Sequence, residues 1–322
     1  SHVTVPSTSI TMTGGKIKNL FGGNYGAKDK TAETMSRVTG DVNISISGDA
    51  IVDNMLYGGG YWNTCVEGNV YLDFKNVDLS ADNTTSLYVN GGVYGSGAEG
   101  TRDIDNGKMD TYAVANNVVI TAENSQFYLL GAGGSGSTKV GSGSVELTDC
   151  KVDILFLSGI NGEVETSSIT MNGCEIKDFA ATNRGFVGVG SVDINNSTVV
   201  NLNTGASEGC FQSDSGSRDG SGVTGSVTYD IDANSTITNA VLTPTVKSDS
   251  GNYEASFINV SISKDGEPLN LSVNGFQPND SKTVTNFTVP EGSTLKLDNV
   301  NAEIAEKQSV TNAGTIDVAT ST

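Results

Sequence analysis

The segment Ser168-Ile169-Thr170-Met171-Asn172-Gly173-Cys174-Glu175-Ile176 decides the fold, because its pattern recurs along the chain. A close copy is Ser9-Ile10-Thr11-Met12-Thr13-Gly14-Gly15-Lys16-Ile17. The shared template has two apolar residues at alternate positions, then a turn residue, a small residue, a polar residue and a last apolar residue. Alternation with period two puts the apolar side chains on one face of a strand. A repeat of this kind predicts a solenoid, in which each unit stacks on the next.

The template recurs at residues 44–51, 72–79, 120–127, 145–152 and 192–199. From Ile120 onward the copies start 25, 24 and 23 residues apart, at Val145, Ile169 and Val192, which suits a coil of three short strands. The first apolar column is Ile10, Ile44, Leu72, Ile120, Val145, Ile169 and Val192. The second is Met12, Ile46, Phe74, Ala122, Leu147, Met171 and Ile194. The last is Ile17, Ile51, Leu79, Phe127, Val152, Ile176 and Val199. Stacked in parallel, these columns would form a continuous core.

The turn position of the template supports the same fold independently. It is occupied by Gly14, Gly48, Asn76, Asn124, Asp149, Gly173 and Asn196. Gly, Asn and Asp tolerate the left-handed backbone conformation that a repeated corner needs, and stacked Asn side chains can hydrogen-bond along the stack. The next column is mostly small: Gly15, Asp49, Val77, Ser125, Cys150, Cys174 and Ser197. We therefore predict an all-β protein, a right-handed parallel β-helix with loop insertions between coils.

The regular repeat ends near Pro244, which cannot donate to a central ladder. Weaker alternating segments follow at 257–262, 287–297 and 310–318. The sequence therefore predicts a β-helix over residues 1–242 and a continuing or capping β-rich segment with altered coils over 243–322.

Charge excludes several classes of partner. The 322 residues include 37 Asp and Glu against 18 Lys and Arg, a formal net charge of −19. Nucleic acids and anionic lipid surfaces bind proteins with a surplus of cations, so neither is expected as a partner. No run of about 18 apolar residues is present, so no membrane insertion is expected either. We expect a monomer.

Candidate catalytic groups are sparse. The only histidine is His2, so a Ser/His triad is not expected. Carboxylates lie near a corner at Asp149 and Asp153, and others lie in an insertion at Asp103, Asp105 and Asp110. A carboxylate pair assembled across coils would make the chain a β-helix carbohydrate-active enzyme, either a polysaccharide lyase or a glycoside hydrolase. That alternative stays open, but solvated carboxylates are the preferred interpretation, with no catalytic residue assigned.

Metal and cofactor motifs are also missing. The four cysteines have no Cys-x-x-Cys spacing, and no nucleotide-binding motif is present. We predict no cofactor and no metal site, with Ca²⁺ in an acidic loop left open. Cys150 and Cys174 occupy equivalent positions one coil apart. Because stacked side chains point the same way, we expect two buried thiols and no disulfide.

Two glycine-rich stretches resemble a known family. Gly14-Gly15-Lys16-Ile17-Lys18-Asn19-Leu20-Phe21-Gly22-Gly23 and Val52-Asp53-Asn54-Met55-Leu56-Tyr57-Gly58-Gly59-Gly60 look like repeats of large surface proteins of gut Firmicutes. Residues 289–295 and 310–316 are also similar to repeats of those proteins. The resemblance implies an adhesin-like β-helix module, extracellular and attached to the bacterial surface through other parts of a longer parent protein. Its implied partner is a host protein or glycoprotein, with immunoglobulin, bound in superantigen fashion, as one candidate.

Loops on a rigid scaffold are where recognition usually occurs. The predicted insertions are 25–40, 61–68, 93–116, 133–143 and 205–225. Aromatic and cationic residues favoured at interface hot spots concentrate in the first three. The predicted binding residues are Tyr25, Tyr61, Trp62, Tyr94, Arg102 and Tyr112. A structural stalk without any ligand is the remaining alternative.

Overall fold

The structure is a computed structural model that describes residues 3–26, 35–62, 64–80, 92–95, 98–100, 114–136, 138–160, 162–183, 185–206, 220–249, 252–273, 276–279 and 282–320. Every regular element in these ranges is a β-strand. None of the described residues forms a helix that is long and apolar enough to cross a membrane.

The strands of the first half are β1 Thr4–Val5, β2 Thr8–Phe21, β3 Ser36–Val38, β4 Val42–Tyr57, β5 Thr64–Val66, β6 Val70–Lys75, β7 Asp78–Leu79, β8 Gly92–Tyr94, β9 Ala98–Gly100, β10 Val114–Glu123, β11 Gln126–Gly131, β12 Ser135–Gly136, β13 Lys139–Thr148, β14 Lys151–Phe156 and β15 Glu163–Asn172. Those of the second half are β16 Glu175–Thr182, β17 Phe186–Asn195, β18 Thr198–Ala206, β19 Gly220–Ile231, β20 Thr236–Val241, β21 Thr245–Asp249, β22 Asn252–Ser256, β23 Val260–Lys264, β24 Leu269–Val273, β25 Phe276–Asn279, β26 Lys282–Val284, β27 Asn286–Val289, β28 Thr294–Asp298, β29 Val300–Ile304, β30 Ser309–Asn312 and β31 Thr315–Ala319.

One side of the solenoid is a parallel ladder in the predicted register. Its strands are β2, β4, β6, β10, β13, β15, β17, β19, β23, β28 and β31. Each residue of the first predicted column, from Ile10 to Val192, pairs with the next one on the neighbouring strand. The same column continues through Tyr229, Ile262 and Leu297. The predicted all-β parallel β-helix is therefore confirmed, and alternating side chains fill its interior as the pattern requires.

The first corner follows the predicted turn residues at six of seven positions. Positive φ angles occur at Gly48, Asn76, Asn124, Asp149, Gly173 and Asn196. The prediction is wrong at Gly14, because Gly15, with φ of 83°, makes that turn. The predicted hydrogen bond between stacked Asn side chains forms between Asn124 Nδ2 and Asn76 Oδ1, at 2.8 Å.

A β-bulge also corrects the last apolar column. Met12 pairs with Ile46, but Gly14 pairs with Asp49, so β4 has one residue more than β2 at this point. The extra residue reverses the side chains that follow. Val52 faces inward and is 7% exposed, whereas the predicted Ile51 is 40% exposed.

The small column beside the corner is buried from Val77 onward, and its hydroxyl groups are hydrogen-bonded. The prediction is wrong at Asp49, which is exposed, because the bulge places Ala50 opposite Gly15. Ser197 Oγ accepts a bond from the Cys174 amide, at 2.9 Å, and donates to the Asn195 carbonyl, at 2.7 Å. Cys150 and Cys174 are buried free thiols, as expected from their parallel side chains. Hydroxyl and thiol groups suit this column because they are small and satisfy backbone groups that the turn leaves unpaired.

Four of the predicted insertions contain short strands that pair in parallel. Strand β9, within residues 93–116, pairs with β12, within 133–143. The first two insertions contain a side of the solenoid. Strand β3 lies within residues 25–40, and β5 lies within 61–68. They pair in parallel with each other, and β3 pairs with β1. Interpreting these segments as loops was wrong, because three-residue strands are too short to show a periodic pattern.

The pairing of the strands becomes less regular after β20. Strands β21 and β22 form an antiparallel pair, as do β25 and β26, while β23, β28 and β31 continue the main ladder. In the second apolar column, Ile231 is followed by Lys264, which is buried. Its Nζ donates to the carbonyls of Asp232 and Asp265, at 2.8 and 2.6 Å, and these bonds offset the cost of burying the ammonium group. The division at residue 242 stays a prediction.

Candidate functional site: an aromatic cluster

Stacked glycine turns position the candidate site. Phe21 ends β2 and pairs with Tyr57 at the end of β4, and each is followed by glycines. The Gly22 amide donates to the Tyr57 carbonyl, at 2.9 Å, and a Cβ on Gly22 would lie 2.2 Å from the Gly58 carbonyl oxygen. Only glycine permits such close backbone approach. The chain therefore turns at the same level in both coils, and the residues after the turns meet.

The residues that meet are aromatic. Tyr25 and Tyr61 form a parallel β-bridge, and their rings stack with centroids 5.2 Å apart at 17°. The Trp62 ring lies 5.2 Å from Tyr25 and 5.1 Å from Tyr61. Phe21 and Tyr57 stack at 5.6 Å and 6°, and Phe21 lies 5.4 Å from Tyr61. These five rings are called the aromatic cluster below.

Exposure is graded across the aromatic cluster. Tyr25 is 61% exposed, and Phe21, Tyr61 and Trp62 are half-buried. Tyr57 is buried in a small apolar group, separate from the main core, that also contains Leu129, Phe156 and Ala180. The cluster therefore has a buried base and a partly exposed outer part. Phe21 and Tyr57, whose direction the sequence leaves open, belong to this separate group and not to the main core.

The backbone at Trp62 is unusual. Its φ is 61°, a conformation that is uncommon for a bulky residue and costs about 1–3 kcal/mol. The Trp62 carbonyl accepts a bond from the Thr64 amide, at 2.8 Å, just before β5. Asn24 fixes the other loop, because its Nδ2 donates to the Arg37 carbonyl, at 3.1 Å. Both loops are therefore tied to neighbouring strands, which holds the rings together.

The structure brings three of the six predicted binding residues together. Tyr25, Tyr61 and Trp62 come together in the aromatic cluster. Tyr94 ends β8, opposite Tyr57 in the register, so its backbone extends the row of Phe21 and Tyr57. Arg102 and Tyr112 lie outside the described residues. Sequence reasoning missed Phe21 and Tyr57 as site residues, although an aromatic residue before glycine in three coils was a usable signal.

Charged side chains near corners show no organised metal site. No group of three or more His, Cys, Asp or Glu in the described part of the chain is arranged to hold a metal ion. Asp149 occupies a corner and Asp153 lies in β14, whereas Asp103, Asp105 and Asp110 lie outside the described residues.

No protein-family model, curated protein or solved structure matches this chain.

Proposed function

We propose that this chain is a binding module of a bacterial cell-surface protein, and that the aromatic cluster contacts its ligand. The observation that carries the proposal is the meeting of five rings at the ends of two adjacent coils, with Tyr25 61% exposed. Tyrosine and tryptophan dominate interface hot spots, because they bury a large area with few rotatable bonds.

The aromatic cluster is also preorganised. Stacking holds Tyr25 against Tyr61. The Asn24 side chain ties the Tyr25 loop to Arg37 in β3, and the Thr64 amide ties the Trp62 loop to β5. A ligand that contacts these rings would therefore meet side chains that have already lost much of their conformational freedom. Binding to such a surface costs less entropy than binding to mobile side chains.

The proposed ligand is a host protein or glycoprotein, and immunoglobulin is the first candidate to test. The resemblance of the glycine-rich stretches to surface proteins of gut Firmicutes supports this choice. The same resemblance supports an extracellular location, with attachment through other parts of a longer protein. A net charge of −19 favours a ligand with a basic patch and disfavours nucleic acid.

The test is binding to immobilised immunoglobulin and, separately, to mucin. The variants are Tyr25→Ala and Trp62→Ala, and the matched control is Tyr71→Ala, an exposed tyrosine on β6. We expect each cluster variant to weaken binding at least tenfold, which corresponds to about 1.4 kcal/mol, and the control to have no effect.

Three outcomes would contradict the proposal. Cleavage of a polysaccharide, abolished when Asp149 or Asp153 is changed to Asn, would identify a carbohydrate-active enzyme. Full binding by the Tyr25 and Trp62 variants would place the interface elsewhere. The absence of any ligand would favour a structural stalk.

A further inference from the structure

A groove of about 720 Å³ opens on the outer surface beside the first corner, at a distance along β4 from the aromatic cluster. It forms where the coils stop pairing. Pairing of β4 with β6 ends at Ser47 and Lys75, and pairing of β4 with β8 begins at Leu56 and Val93. Between these points β7 pairs with β11, so no described ladder joins β4 to β7. The edges of two coils are therefore splayed here.

Half of the residues that line the groove carry a carboxylate or an amide. The polar residues that carry the argument are Asp49, Asp53, Asp78, Asn76, Asn124 and Gln126. Lys16 also lines it, and its Nζ lies 2.8 Å from Asp53, so this cation is already paired. Ile51, exposed through the β-bulge described above, adds an apolar surface. The lining thus combines acceptors, donors and one exposed aliphatic side chain.

Some of these groups are fixed and others are available. Asn124 Nδ2 donates to Asn76 Oδ1, at 2.8 Å, which orients both amides and leaves each with further donors and acceptors. Asp78 accepts a bond from the Ser80 amide, at 3.0 Å. The exposed side chains of Asp49 and Gln126 form no hydrogen bond with the described residues. The groove is therefore partly preorganised and has unused hydrogen-bonding capacity.

The chemistry of the lining disfavours other ligands. Anions would meet three carboxylates and a cation that Asp53 already neutralises. Metal ions would need a cluster of ligands that the described residues do not form. An inserted peptide strand would need β4 and β7 to stand about 9.6 Å apart, which is two strand spacings. Their Cα atoms approach within 8 Å, so the groove does not hold a strand in the sheet.

We propose that this groove binds a neutral oligosaccharide. Sugar hydroxyls donate to carboxylates and accept from amide N–H groups, and the lining offers both. The exposed Ile51 would contact the apolar face of a sugar ring. Pockets that combine an apolar surface with a few placed polar groups are typical of small-ligand sites. This site is separate from the aromatic cluster and does not depend on the function proposed for it.

The test uses the full chain and a panel of neutral oligosaccharides, namely mannohexaose, xylohexaose and cellohexaose, measured by titration calorimetry. The site variant is Asp49→Ala with Gln126→Ala. The control variant is Asp193→Ala with Thr198→Ala. Asp193→Ala removes one carboxylate, as Asp49→Ala does. Thr198 occupies the same position in its coil as Gln126, three coils further along. We expect at least one sugar to bind, the site variant to bind it at least tenfold more weakly, and the control to bind it normally.

Two further measurements keep the result interpretable. Circular dichroism should give the same folded spectrum for the site variant and the control, because none of the four side chains lies in the core. The variants Tyr25→Ala and Trp62→Ala should leave sugar binding unchanged, which separates this site from the aromatic cluster. Absence of binding to every sugar would overturn the proposal, as would normal binding by the site variant. Binding of a Lys-rich peptide in place of any sugar would also overturn it.

Discussion

Replacing Gly58 by alanine tests the close stacking of the glycine turns. A Cβ on Gly58 would lie 2.2 Å from the Gly95 carbonyl oxygen and 2.4 Å from Val70 Cγ1. Real Cβ atoms do not approach other heavy atoms closer than about 3.0 Å, so backbone or core must move by nearly 1 Å. Such overpacking costs about 1–3 kcal/mol. The entropy of unfolding for a chain of this length is about 0.7 kcal/mol/K, so the melting temperature should fall by about 2–4 °C.

Gly14→Ala is the matched control, because no heavy atom lies within 4 Å of its added Cβ. The control should keep or slightly raise the melting temperature, since alanine restricts the unfolded chain more than glycine does. Calorimetry measures the global change. Trp62 is the only tryptophan, so its fluorescence reports locally on the aromatic cluster. We expect the Gly58 variant to shift the Trp62 emission and the Gly14 variant to leave it unchanged.

Solenoids can unfold in stages, so the calorimetric and fluorescence transitions are compared and not assumed to coincide. If Gly58→Ala and Gly14→Ala had equal melting temperatures and identical Trp62 emission, the turns would not be stacked as described. A fall in melting temperature without a change in emission would place the strain in the core around Val70 instead of in the aromatic cluster.

Four further predictions concern the core. Tyr229→Phe should lower the free energy of unfolding by about 1–2 kcal/mol in chemical denaturation. The Tyr229 hydroxyl donates to the Thr204 carbonyl, at 2.8 Å, and both residues are buried, so the variant leaves a buried carbonyl without this donor. Burial raises the pKa of Tyr229 well above its ordinary value of 10.0, so the Tyr229 hydroxyl loses its proton at lower pH in the unfolded state than in the folded state. The free energy of unfolding should therefore fall as the pH rises above about 10, and it should fall less steeply in Tyr229→Phe. Chemical denaturation at several pH values measures this difference. Cys150 and Cys174 should resist alkylation in the native protein, because both thiols are buried, and both should react after unfolding. Mass spectrometry should show no loss of two hydrogens, which would indicate a disulfide. Met171→Ala should cost about 2–5 kcal/mol in chemical denaturation, and a loss below about 1 kcal/mol would contradict its place in the core.

Much of the core could be predicted from the sequence because two independent patterns coincide. Period-two alternation identifies the residues that face inward, and Gly, Asn or Asp marks the corner where the strand ends. At Gly14 and Ile51 the prediction failed by one residue. A bulge adds a residue to one strand only, and two adjacent glycines or two adjacent aliphatic residues fit the template equally well. Pairing with the neighbouring coil, which the sequence does not show, decides between them.

The candidate site could be predicted only in part. Tyr25, Tyr61 and Trp62 were identified by residue type, but their distances of about 5 Å depend on glycine turns that stack across coils. The groove beside Asp49 and Gln126 had no sequence signal at all. It exists because β7 pairs with β11 of the following coil, so that among the described residues β4 is paired only with β2 between Ser47 and Leu56. Which strands pair at this point is decided by the stacking of the coils and not by either segment alone.

The sequence alone determined the solenoid, since a repeated strand pattern with a repeated corner can bury its apolar face only by stacking on its neighbours. The tertiary structure decided where the candidate binding sites lie on the surface. Rings 36 residues apart, Tyr25 and Tyr61, meet because one coil brings the chain back to the same place a strand spacing higher. Surface sites of this kind depend on how coils are placed side by side, and that placement is set by hydrogen bonds between strands that are distant in the chain.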